Sequence, residues 1–218
     1  MHSAYFACFG ACRSGCCGIT NVKPKLSLYF LRRGADRGSP ADQYELGCRY
    51  AQGRGVAKDG SLAFSCFQKA AQQRSVPAQY ELGVCYRNGL EVKKDAARAA
   101  KLFGQTAEQG YAYALRDLGI CRASGADVEK DAARSEELLR KAAEQFRREA
   151  EQDSVESAYN LGCCYLNGQG VPANSQEAVN WLRRSAKKGY APAQTDWVFV
   201  INMAKAWKIT RKRIPQRP

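Results

Sequence analysis

Ten cysteines and one histidine are the residues through which this 218-residue chain could do covalent or metal chemistry. Four of the thiols, Cys8, Cys12, Cys16 and Cys17, crowd into ten residues, a density at which zinc binding or S-acylation is chemically reasonable. Their spacing is not the pair of C-x2-C hairpins that tetrahedral zinc favours, and Cys16 and Cys17 are adjacent. Metal, lipid and a worn structural segment with exposed thiols stand side by side as readings of this stretch. Cys12, Cys48, Cys85, Cys121, Cys163 and Cys164 form a second set, each two or three residues after a Leu-Gly or Phe-Gly pair. Free cysteine behaves as a small apolar side chain, so this set reads as packing. The only histidine, His2, adjoins the first residue, and chain ends are seldom tied down. That argues against His-dependent nucleophilic catalysis, and neither a Gly-rich phosphate loop nor a C-x2-C motif is present. The chain therefore reads as a non-enzyme without cofactor, metal or small-molecule substrate, with a thiol-dependent hydrolase or oxidoreductase as the alternative.

The formal charge of +13 invites a nucleic-acid reading until it is mapped. Residues 1–40 carry six basic and one acidic side chain, and residues 181–218 carry ten and one. The middle, 41–180, carries 18 basic and 19 acidic side chains and is balanced. A nucleic-acid groove needs a basic stripe along successive elements, so nucleic acid is not an expected partner. The closing run from Lys208 to Pro218 reads as a solvated tail, with nuclear targeting or attraction to an anionic surface as its other roles. Met1 to Asn21 lacks a basic start followed by an apolar run, and no stretch reaches the roughly 20 apolar residues of a bilayer span. A cytoplasmic chain is expected.

What positions these residues is a repeat. Leu-Gly recurs at Leu46-Gly47, Leu82-Gly83, Leu118-Gly119 and Leu161-Gly162. Seven residues after each Leu stands Gly53, Gly89, Gly125 or Gly168; ten after stands Val56, Val92, Val128 or Val171; thirteen after stands Asp59, Asp95, Asp131 or Asn174. The offsets spell a helix, a stop and a second helix. Gly inside a helix costs about 1 kcal/mol against Ala, so its recurrence implies close approach of a partner helix. The later Gly is the left-handed stop, and the Asp or Asn is the N-cap of the second helix. Asn174 with Glu177 has the spacing of a capping box.

At these residues the chain resembles the Sel-1-like repeat family, relatives of the tetratricopeptide repeats, whose pattern looks like A-x3-L-G-x2-Y-x2-G-x-G-V-x2-D-x3-A-x2-W-x3-A-A-x2-G. Residues 157–189 follow it best, through Leu161, Gly162, Tyr165, Gly168, Gly170, Val171, Ala178, Trp181, Ala186 and Gly189. The resemblance implies an all-α fold, a right-handed α/α superhelix of helix-turn-helix repeats. The expected organisation is a degenerate repeat with a Cys-rich start at 1–40, then repeats at 41–77, 78–113, 114–156 and 157–190. A capping helix follows at 191–208 and a basic disordered tail at 209–218. The third of the clear repeats holds seven extra residues around Phe146 to Ser157, expected as a longer second helix or an outward loop. Some secreted members bridge successive repeats with disulfides, but this chain lacks cysteine pairs at those places.

Members of the family commonly act as adaptors, which makes other proteins or peptides the expected partners and a protein-interaction scaffold the expected function. The column before each Leu reads Glu45, Glu81, Asp117 and Asn160, and the one before that Tyr44, Tyr80, Arg116 and Tyr159. In stacked repeats equivalent positions align into a strip. If the first helices line the concave face, as the resemblance implies, these eight residues are the candidate protein-binding site, suited to a basic or helical peptide. The plain alternative is solvated surface for the acids and inter-repeat packing for the tyrosines.

Overall fold

The computed structural model describes residues 24–125 and 129–198; the Cys8–Cys17 cluster, the basic tail and the last part of the expected 191–208 helix lie outside them. The described residues are all-helical and contain no strand. They fall into two compact units that divide between Ser135 and Glu136, inside one helix.

The first unit holds α1 (Pro24–Asp36), α2 (Pro40–Gln52), α3 (Gly60–Gln72), α4 (Val76–Asn88), α5 (Ala96–Glu108), α6 (Ala112–Ser124) and the start of α7 (Ala132–Glu151). Consecutive helices from α1 to α6 pack on one another. The second unit holds the rest of α7, α8 (Val155–Asn167), α9 (Ser175–Lys187) and a helical stretch at 191–198.

The recurring residues do what their offsets require. Asp59, Asp95 and Asp131 accept from the amides of Leu62, Arg98 and Arg134, each at 2.9 Å. Asn174 caps α9 through Gln176 and Glu177, both at 3.1 Å. The reciprocal half of a capping box is not made there, because the Asn174 amide already donates to Tyr165 O at 2.9 Å. The same bond recurs from Asp59 to Tyr50 O and from Asp95 to Tyr86 O, so each cap residue is held from both sides. Gly53, Gly89, Gly125 and Gly168 take left-handed φ of 72°, 69°, 71° and 65° and end α2, α4, α6 and α8.

The helical Leu-Gly glycines make room for the second helix of their own hairpin. A Cβ on Gly47 would lie 2.7 Å from Phe67, one on Gly83 2.8 Å from Phe103, and one on Gly162 2.9 Å from Leu182. Phe67, Phe103 and Leu182 are all buried. The close approach is thus a large side chain laid across the glycine. The seven extra residues extend α7 to 20 residues, against 13 in α8 and α9. The added part joins the core: Phe146 and Ala150 continue the helical spacing of Leu138 and Ala142, and all four are buried. Beyond them the Glu149 carboxylate accepts from Ser157 Oγ at 2.6 Å. Of the two expectations for this insertion, the longer helix holds.

A second column closes each repeat. Gly38, Gly110 and Gly189 take positive φ there, and the equivalent residues Arg74 and Asp153 do so at 63° and 76° without being glycine. Such a conformation costs roughly 1–2 kcal/mol for an L side chain.

Candidate functional site

The eight candidate residues lie on the first helices of their repeats, and the structure brings some of them together. In the first unit Asp117, on α6, is only 5% exposed. Its Oδ2 accepts from the Tyr80 hydroxyl of α4 at 2.9 Å and from the Arg87 guanidinium at 3.1 Å. Its Oδ1 takes both Arg116 Nε and Nη2, at 2.9 and 2.7 Å. A carboxylate so buried is tenable because two guanidiniums and a hydroxyl replace its water.

Aromatic rings enclose this cluster. The Tyr80 ring packs on Phe103, Tyr111 and Tyr113 with centroids 5.5, 5.3 and 6.1 Å away. Arg87 lies over Phe103 at 5.1 Å and Arg116 over Tyr113 at 5.8 Å, so each cation that balances Asp117 also faces a ring. The second unit repeats the tyrosine–aspartate bond and one of its ring contacts. Tyr159 donates to Asp196 at 2.7 Å and packs on Tyr190 at 5.3 Å. Asp196 precedes Trp197, which stands at the Leu position of its repeat, so it extends the acidic column by one member that the Leu-Gly signature alone does not mark.

Glu81 is buried at 6% exposure, and Asn160 is buried and donates to Glu156 O within its own helix at 2.6 Å. Tyr44 is half-buried against Phe67, and the half-buried Glu45 pairs with Arg49 at 3.1 Å. The expectation of a solvent-facing acidic strip is therefore corrected for its inner members. Asp117 lies within the packing between repeats, where the tyrosine column was expected, and Glu81 is buried as well. Periodicity identifies equivalent positions; it does not say which of them the next repeat covers.

The described thiols are Cys48, Cys66, Cys85, Cys121, Cys163 and Cys164, and none of them is in a disulfide. Cys48, Cys85 and Cys164 are buried. Burial, reinforced by the Glu81 and Glu91 carboxylates, pushes the Cys85 thiol up to about 12. Cys66 is also raised, chiefly by burial, with Lys69 opposing. A nucleophilic thiol needs the opposite shift. Among the described residues no cluster of His, Cys, Asp or Glu could hold a metal ion, and no helix is long and apolar enough to cross a membrane.

A polar cleft of about 410 Å³ opens beside this cluster's helices, lined by Arg74, Gln79, Gln105, Glu108 and Gln109. Sequence reasoning singled out none of these. The signal was present in Arg74, which occupies a column otherwise filled by glycine or Asp153.

Helix hairpins capped and stopped by the same residue types, all but one built of 13-residue helices, and bridged by tyrosine–aspartate bonds, define an α-helical repeat protein. The Sel1 repeat model matches five times, over residues 7–39, 40–75, 76–111, 112–145 and 155–190. The chain belongs to the Sel1 repeat family. Among solved structures it is similar to a Sel1 repeat protein from Oxalobacter formigenes, with 30% identity and a TM-score of 0.53, covering 80% of this chain and 68% of that one. It is also similar to a protective antigen of uropathogenic Escherichia coli that displays an SLR fold, with 34% identity and a TM-score of 0.52 over 80% of this chain. There it spans only 36% of the antigen's length. No curated protein matches the chain.

Proposed function

We propose that this chain is a cytoplasmic protein-interaction scaffold that holds a partner protein or peptide on the face formed by the first helices of its repeats. The observation that carries this reading is how little of the repeat is left over for chemistry. The recurring Gly, Asp, Tyr and Cys positions are occupied by caps, stops, inter-repeat bonds and packing. Stacked repeats of this kind use the surface that varies between them to choose partners. In the first unit Tyr44, Glu45 and Arg116 keep part of their surface, while Tyr80 and Asp117 bond across a repeat boundary and Glu81 is buried; in the second unit Tyr159 bonds to Asp196. The raised Cys85 and Cys66 thiols support the non-enzymatic reading over a thiol-dependent hydrolase or oxidoreductase.

The test is affinity capture of the full chain from its native cells, followed by reconstitution with the purified candidate partner. A stoichiometric complex weakened by Glu45→Lys is expected. If no captured protein binds once purified, the scaffold reading fails; if Glu45→Lys leaves binding unchanged, the partner sits on another face.

A further inference from the structure

Two equivalent glutamine pairs in the first unit adopt different states. Gln43 on α2 and Gln79 on α4 each donate their Nε2 to a carbonyl eight residues back, Ala35 O at 3.1 Å and Ala71 O at 3.5 Å. Gln73 and Gln109 occupy the C-caps of α3 and α5. In the first hairpin the pair is closed: Gln73 Nε2 donates to Gln43 Oε1 at 2.8 Å. In the next, Gln109 Nε2 turns back to Gln105 O at 3.2 Å, and Gln79 Oε1 is left shielded from water with no partner. A buried acceptor without a donor is unfavourable, and native folds seldom leave one.

The cleft of about 410 Å³ lies at this open pair. Arg74, which lines it, carries the second departure from the repeat, a left-handed φ of 63° where Gly38, Gly110 and Gly189 stand. The other non-glycine residues with such a backbone have their side chains engaged. Asp153 pairs with Arg184 and Lys188, and Glu91 accepts from Ser61 Oγ. The Arg74 guanidinium makes no hydrogen bond or ion pair among the described residues, and strain held without local return is a mark of a binding position.

We propose that this cleft receives the carboxamide of an asparagine or glutamine side chain from a partner polypeptide. Its N–H donates to Gln79 Oε1 and its C=O accepts from Arg74. The protein supplies the template, since the closed pair fills the equivalent acceptor with a carboxamide N–H. The 3.5 Å bond to Ala71 O is long enough for the Gln79 amide to turn toward the cleft at little cost. A carboxylate in the same place gains an ion pair with Arg74 but has no N–H for Gln79 Oε1 and faces Glu108, so the site is expected to favour glutamine over glutamate.

The proposal rests on the scaffold reading but is tested apart from it, with defined peptides rather than captured proteins. The full ¹⁵N-labelled chain is titrated with acetyl-Ala-Gln-Ala-amide, acetyl-Ala-Glu-Ala-amide and acetyl-Ala-Ala-Ala-amide. Saturable shifts at Arg74, Gln79 and Gln109 are expected with the glutamine peptide, and binding about tenfold or more weaker with the other two. Gln79→Leu and Arg74→Gly should each weaken the glutamine peptide by about tenfold, the second without strain on the fold. Equal responses to all three peptides, no saturable shift at any soluble concentration, or an experimental structure of the free protein with Gln109 bonded to Gln79 Oε1 would each overturn it.

Discussion

The hydroxyl of Tyr80 reaches 2.9 Å across a repeat boundary to Oδ2 of Asp117, 37 residues along the chain. Tyr159 and Asp196 stand in the same relation at 2.7 Å. Tyr80→Phe keeps the ring contacts and removes only the donor, so it should lower stability by about 1–2 kcal/mol. Asp117→Lys places a cation among Arg87 and Arg116 and should cost roughly 3 kcal/mol or more. Denaturant titrations of both variants give the check, and a neutral Asp117→Lys would refute the buried cluster.

Gly83→Ala sets a methyl 2.8 Å from the Phe103 ring. The strain should outweigh the better helix propensity and give a net loss of about 1–2 kcal/mol. Combining it with Phe103→Leu should recover part of that loss. A double-mutant cycle with no coupling would show that the glycine serves something other than the ring.

Arg74→Gly removes a left-handed backbone strain from an exposed side chain. Stability should rise by up to about 1 kcal/mol, the strain relieved being partly offset by the greater freedom of an unfolded glycine. A lower melting temperature for the variant would contradict this.

Cys85 makes stability depend on alkaline pH. Its thiol ionises near 9.0 when unfolded, and burial in the fold pushes it up to about 12. Above about 9 the unfolded chain has lost a proton that the folded chain retains, so stability falls as pH rises from there toward about 12. Other groups also titrate in this range, so the informative quantity is the difference between the native chain and Cys85→Ala. That difference should be constant below pH 9 and move in favour of the variant above it; a flat difference across the window would remove the effect.

Phe146→Ala probes the inserted turns of α7. Phe146 is fully buried, so about 3–5 kcal/mol should be lost, as for any core phenylalanine. A loss under about 1 kcal/mol would mean that the insertion is peripheral.

Caps and stops were legible because each depends on one residue type at a fixed distance along the chain, as Asp59 and Gly53 show. The membership of the Tyr80–Asp117 contact was legible too, as two columns. Its direction was not, because whether a carboxylate faces water or the next repeat depends on cations such as Arg87, which carry no periodic mark. Asp196 lay hidden because its repeat has Trp197 where the others have leucine. The cleft was illegible for a further reason. Gln73 and Gln109 are the same residue at the same position, and only their side-chain conformations differ.

The seven residues that lengthen α7 amount to nearly two full helical turns, since two turns need about 7.2. The helix therefore resumes with its apolar side rotated by only about 20°. An insertion of five would swing that side by about 140° and present charge to the core. Growth of such a helix is thus quantised. Genes of this kind can lengthen such a helix in steps close to whole turns, seven or eleven codons for example, while a step of five has to be absorbed by the loops.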